Sequence, residues 1–186
     1  SRCRMLTIFE SLSGLRGSSV SMIFRMRCVV VSEETLSRKP ESPQRDRLEL
    51  LWGMALMARS DFAGAAAHLE QVAARSPATP AGQQAAVLRA QCLSQAGKLD
   101  NAAAAYEKVA ADSSSRFAPE AAVGLASLKR RQGRPAETVA ILDRLLAEKA
   151  DSPVAGAALL ERGRALLDQG DHKSARQSIE KAKGKE

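Results

Sequence analysis

An all-α fold, an α-solenoid of four helix-turn-helix repeats over residues 42–186, is what this sequence predicts, and three observations predict it. The same chemical marks return every 36 to 37 residues, and a fixed period of that size determines a repeat architecture. Each period holds two stretches of helical amphipathicity separated by a turn residue. The chain has one Trp, one Tyr and four Phe, so its core must be built from Ala, Leu and Val. Those residues suit close helix-helix contact better than a large β-sandwich.

The first mark is a hydroxyl residue at Ser42, Thr79, Ser115 and Ser152, followed by Pro43, Pro80 and Pro153 in three repeats and by Arg116 in the other. Ser or Thr as N-cap accepts a hydrogen bond from an orphan backbone N–H, and Pro at the first helical position gives up a donor that had no partner. These positions predict four first helices starting in register. A small side chain follows at Gly53, Ala90, Ala126 and Gly163, then a turn residue at Ser60, Gly97, Gly133 and Gly170. Glycine supplies the positive φ that ends a helix, so each predicts a tight turn into a second helix, with Ser60 the least suited of the four. The second helix carries a small residue at Ala65, Ala102, Thr138 and Ala175 and a larger apolar one at Leu69, Tyr106, Leu142 and Ile179. A further apolar position follows at Val72, Val109, Leu145 and Ala182. This i, i+4, i+7 spacing puts all three on one helix face, where the small residue admits a neighbour and the larger ones fill the space between. The repeats are expected at about 42–78, 79–114, 115–151 and 152–186.

The two ends differ. The last helix, about 172–183, is apolar only at Ala175, Ile179 and Ala182, with Lys173, Arg176, Gln177, Glu180 and Lys181 around them. A solenoid's final unit has no neighbour to cover it, so this polar helix reads as a natural end. Residues 1–41 contain no alanine, against 34 in residues 48–186, so composition changes abruptly where the array starts. Projecting the period backwards places Arg16 at the small position and Ile23 at the turn, and neither fits a fifth repeat. Residues 1–41 are left as an irregular N-terminal segment of unknown structure, disordered or non-native among the options, and not required for folding. Residues 40–186 expressed alone should then melt cooperatively.

Charge and cysteine usage narrow the function. The net charge is +7; residues 1–47 hold nine Lys or Arg against five Asp or Glu, leaving 19 against 16 for the rest, so the repeats are only mildly basic. With one Trp and one Tyr they also lack platforms for stacking bases, and no nucleic-acid partner is expected. Cys3, Cys28 and Cys92 form neither a disulfide framework nor a zinc motif, and Cys92, inside an amphipathic helix, reads as a small buried thiol. No run of about 18 uncharged apolar residues occurs, so no transmembrane helix is expected. The stretch Val20–Val31 is interrupted by Arg25 and Arg27, and no signal peptide is recognisable. The compartment stays open between bacterial periplasm or cell envelope and cytoplasm.

Nothing in the sequence assembles an active site. There is no nucleophile with a base, no carboxylate pair, no Gly-rich phosphate loop and no metal set. His68 and His172 occupy unrelated repeat positions and read as surface residues. A non-enzyme is expected, without catalytic residues, metal ligands or cofactors.

The marks of the four repeats resemble the tetratricopeptide repeat: a small residue in helix A, Gly at the turn, Ala followed four residues later by an aromatic or aliphatic in helix B, and Pro near the junction. The usual period is about 34; the longer one here, with Ser-Pro junctions, resembles repeats of bacterial envelope proteins such as the outer-membrane assembly lipoprotein BamD and the related periplasmic cell-division coordinator. The resemblance implies a right-handed superhelix whose inner groove is lined by the A helices and holds a protein partner. Carried over, the lining is Arg47, Leu50, Met54 and Met57; then Gln84, Val87, Gln91 and Gln95; then Glu120, Ser127, Arg130 and Arg131; and finally Leu160, Arg164 and Leu167. One end is apolar and Met-bearing, the middle amide-rich and the far end basic.

No Asn stands where the carboxylate-clamping members hold theirs, which disfavours a co-chaperone. Arg130, Arg131 and Arg164 either grip an acidic side chain or peptide C-terminus through bidentate hydrogen bonds or form a solvated charged face. Met54 and Met57 are either an adaptable contact surface or packing under the N-terminal segment. The function expected is a scaffold that binds a peptide or helix of a protein partner within a bacterial multiprotein or envelope assembly. The alternative is a structural or self-associating module, or the C-terminal part of a larger protein.

Overall fold

The computed structural model describes residues 45–184, and among them every regular element is an α-helix. In chain order these are α1 (Arg45–Ala58), α2 (Phe62–Arg75), α3 (Pro80–Gln95), α4 (Leu99–Ala110), α5 (Ala118–Arg131), α6 (Pro135–Glu148), α7 (Ala155–Asp168) and α8 (His172–Lys183). The expectations for residues 1–41 and for the Ser42–Pro43 cap lie outside the described residues.

Four hairpins result because four helices stop the same way. Ser60, Gly97, Gly133 and Gly170 have φ of 63°, 78°, 75° and 81°, the left-handed conformation expected at each turn. The next residue's N–H then reaches back to a carbonyl of the preceding helix, Asp61 to Leu56 at 3.0 Å, Lys98 to Leu93 at 2.9 Å, Arg134 to Lys129 at 3.0 Å and Asp171 to Leu166 at 2.9 Å. This is the Schellman closure, which satisfies carbonyls the helix end leaves open. A Cβ on Gly97, Gly133 or Gly170 would meet no atom within 4 Å, so the backbone angle and not space calls for glycine there.

Helix starts are less uniform than the sequence suggests. Thr79 is the N-cap of α3, accepting from the Gly82 N–H at 3.1 Å with Pro80 at the first helical position. Ser115 and Ser152 are not caps: α5 and α7 begin three residues later, at Ala118 and Ala155. Their hydroxyls accept instead from Phe117 N–H (3.2 Å) and Val154 N–H (3.5 Å) in turns ahead of each helix. Gly82 explains the difference, because a Cβ there would sit 1.9 Å from the Ser76 carbonyl oxygen. The equivalent positions carry a Cβ, in Ala118 and Ala155, so the chain enters those helices through an extra turn.

Within each hairpin the small residue of the first helix receives the large residue of the second. A Cβ on Gly53 would lie 2.7 Å from Leu69 Cγ, and one on Gly163 would lie 2.9 Å from Ile179 Cγ1. Ala90 and Ala126, the matching residues of the middle hairpins, are fully buried. So are Ala65, Ala102, Thr138 and Ala175 on the second helices. Thr138 keeps its polar group satisfied by donating to the Ala126 carbonyl at 3.0 Å. Burial of Leu69 and Leu142 contributes about 1.5–3 kcal/mol each.

From α2 to α8 each helix packs on its successor, and α1 meets α2 through Gly53 and Leu69. The first helices of successive hairpins also touch, α3 with α5 and α5 with α7. Helices that reach their next-but-one neighbours form the inner layer of a curved stack, so the array is an α-solenoid with first helices inside and second helices outside.

Candidate functional site: the inner face of the solenoid

The inner layer is interrupted between α3 and α5 by a cleft of about 380 Å³. Of the residues expected to line a groove, Val87, Gln91 and Gln95 of α3 and Glu120, Ser127 and Arg131 of α5 meet there. Leu88, Ser94, Tyr106, Gly124 and Leu128, which sequence reasoning missed, complete it. Gly124 shapes the floor, since a Cβ there would fall 2.5 Å from Tyr106 Cε1. A glycine in mid-helix lowers helix stability and so marks a close approach, which was the available signal. Burial, with a smaller contribution from nearby Cys92 and an opposing one from Arg131, pushes the Tyr106 phenol up to about 12, so it stays neutral. Arg131 donates through Nη1 to the Ser94 hydroxyl at 2.9 Å and makes no ion pair among the described residues.

The other two arginines are held differently. Arg130 pairs with Glu161 (Nε to Oε1, 2.7 Å) and Asp168 (Nη1 to Oδ2, 3.2 Å), and Arg164 pairs with the second oxygen of Glu161 at 3.1 Å. Burial alone would raise the Glu161 carboxyl, but hydrogen bonds from Arg130, Arg164 and Ser127 outweigh it and hold its pKa below the ordinary value. The far end of the inner face is therefore a charge-compensated network and not a bare basic surface. Sequence spacing showed the arginines but not their carboxylates, because Arg130 and Glu161 lie 31 positions apart.

At the first hairpin Met54 is exposed beside Leu51, while Met57 packs on the apolar core. Leu50, expected in the groove lining, is buried in that core. Gln84, half-buried on α3, lies outside the cleft, as do Met54, Met57, Arg130 and Arg164. His68 is also half-buried, its ring edge-on to Trp52 at 5.8 Å. Cys92 is buried as expected, and desolvation pushes its thiol up to about 11. Among the described residues no three His, Cys, Asp or Glu side chains are placed to hold a metal ion. No helix among them is long and apolar enough to cross a membrane.

Stacked hairpins with a recessed, polar-rimmed inner face define a helical-repeat module. The chain belongs to the tetratricopeptide repeat family, whose profile matches residues 50–122 and 123–185. Proteins of this family generally mediate protein-protein contacts, and the fold is generally a non-catalytic scaffold. No curated protein sequence matches the chain. Among solved structures it is similar to a variant of the kinesin light chain TPR-like repeats of Podosopora anserina, at 21% identity and a TM-score of 0.70, covering 86% of this chain and 85% of that one. It is also similar to MamA, at 15% identity and a TM-score of 0.64, covering 84% and 85%. At such identities the likeness is one of fold.

Proposed function

We propose that this protein is a non-enzymatic scaffold that holds a peptide or helix of a protein partner on its inner face. The α3–α5 cleft is the centre of contact, and the observation that carries the reading is the convergence there of Gln91, Gln95, Ser127 and Arg131 from two different repeats. An apolar floor with a few polar groups at its rim is the composition of a recognition site. Met54, Met57, Gln84, Arg130 and Arg164 extend the contact surface along the inner layer. The long, Ser-Pro-bearing repeats favour a partner within a bacterial envelope or other multiprotein assembly.

A photo-crosslinking side chain placed at Gln91 or Ser127 should capture partner polypeptide in cells, and the same group at Arg176 on the outer face of α8 should not. Equal labelling at all three positions would remove the inner face from consideration.

A second reading, self-association through the first hairpin, draws on the exposure of Leu51 (56%) and Met54 (43%). Light scattering separates the two, since a concentration-independent monomer at tens of micromolar counts against self-assembly.

A further inference from the structure

We infer that the α3–α5 cleft selects an extended peptide carrying one acidic and one basic side chain four residues apart, with an apolar side chain midway between them. The inference rests on the reading of this cleft as the partner site and adds which peptide chemistry it takes. Both charged groups of the cleft belong to α5: Glu120 in its first turn and Arg131 at its last residue. They are three helical turns apart and so share one face, separated by about 16 Å along the axis. An extended chain rises about 3.3 Å per residue and turns alternate side chains to the same face, so residues four apart share a face and span about 13 Å, the remaining few ångströms lying within reach of the long Arg131 and Glu120 side chains. A peptide lying along the cleft can therefore present an acidic side chain to Arg131 and a basic one to Glu120 at the same time.

The groups between those poles fit a peptide. Gln91 and Gln95, one turn apart on α3, each offer a carbonyl and an NH₂ group to a peptide backbone. Leu88, Tyr106 and Leu128 form an apolar floor, and Gly124 removes the one side chain that would lift an incoming residue off the Tyr106 ring. Ser94 holds one N–H of Arg131 and leaves the outward donors of the guanidinium for a carboxylate. Glu120 forms no ion pair among the described residues, and its charge at the cleft opposes a phosphate backbone and favours a basic side chain as its partner. On α3 the cleft has no charged residue, so α5 alone sets the charge pattern.

Capped, fluorescently labelled pentapeptides test this against the full chain by anisotropy. The mixed peptide Asp-Ala-Leu-Ala-Lys, whose Asp, Leu and Lys share one face when extended, should bind about tenfold more tightly than the Asp/Asp or Lys/Lys versions of the same sequence, each exposed pair being worth roughly two- to fivefold. Arg131→Glu should shift the preference to the Lys/Lys peptide, and Glu120→Lys should shift it to the Asp/Asp peptide. Both side chains are exposed, and circular dichroism should show the fold intact in each variant. An unchanged ranking in both variants, with binding still blocked by Gln91→Trp, would overturn the charge-pair selection and leave the cleft as the site. Binding that Gln91→Trp leaves untouched would overturn both.

Discussion

Two neighbouring gaps in the inner layer share one backbone plan and end in opposite states. Between α3 and α5 the layer is open over Gly124 and, among the described residues, is crossed by one side-chain hydrogen bond, Arg131 to Ser94 at its end. Between α5 and α7 it is stitched by Arg130, which reaches Glu161 and Asp168 of α7, while Arg164 on α7 itself holds the second oxygen of Glu161. Gly124 and Glu161 stand at the same place in successive repeats, two residues before Ala126 and Gly163. A missing side chain opens one gap, and an arginine paired with the carboxylates of Glu161 and Asp168 closes the next. Repeat geometry therefore supplies the surface, and single residues at one recurring position decide where it is recessed.

The contrast can be broken from the closed side first. Glu161→Ala should cost about 3 kcal/mol, the low end for a broken buried pair because Arg130 is partly exposed and recovers some hydration. Urea unfolding measures it, and a cost below about 1 kcal/mol would mean that the network is not what joins α5 to α7. The pH dependence follows from the sign of the shift. Glu161 has a folded pKa below its ordinary 4.5, so its stabilisation is present above that value and is lost as pH falls through the folded one. Glu161→Gln should remove this part of the acid-induced fall in melting temperature. What remains includes the contributions of Asp112 and Asp171, which accept hydrogen bonds from Ser114 and Ser174.

On the open side Gly124→Ala should cost about 1–3 kcal/mol by driving its methyl into the Tyr106 ring, with thermal melting as the readout. A neutral result would mean that Tyr106 can swing away and that the cleft floor is adaptable. Ser94→Ala should cost only about 0.5 kcal/mol, since the exposed Arg131 regains water for its lost partner. The smallest effect is expected at Ser60, the one non-glycine turn residue with positive φ among the described residues. Ser60→Gly should raise stability by about 0.5–1 kcal/mol, and a loss would show that the serine side chain does more for the turn than its strain costs.

Much of this was legible beforehand. The turns at Gly97, Gly133 and Gly170 and the small and large apolar positions at Gly53 and Leu69 follow from local rules, a backbone angle or a helix face, that one repeat can state by itself; that Leu69 seats on Gly53 only the packing shows. The starts of α5 and α7 did not follow, because Ser115 and Ser152 look like the cap Thr79. The distinction lies in whether a Cβ three residues later meets the end of the previous helix. Half of the cleft was named from the family's inward positions. Tyr106 was missed because it belongs to a second helix and reaches the inner face only past Gly124.

Period, turn chemistry and small-large alternation were enough to specify four hairpins, since each acts within a single repeat and recurs in the next. Which of the two adjacent arginines meets carboxylates and which a hydroxyl was a matter of tertiary structure. Arg130 and Arg131 are adjacent in the chain, yet the helix turns them toward different neighbours, one to Glu161 and Asp168 and the other to Ser94. Charges more than thirty residues apart are brought within 3.2 Å only when the hairpins stack, so the open cleft and the closed one become distinguishable at that stage.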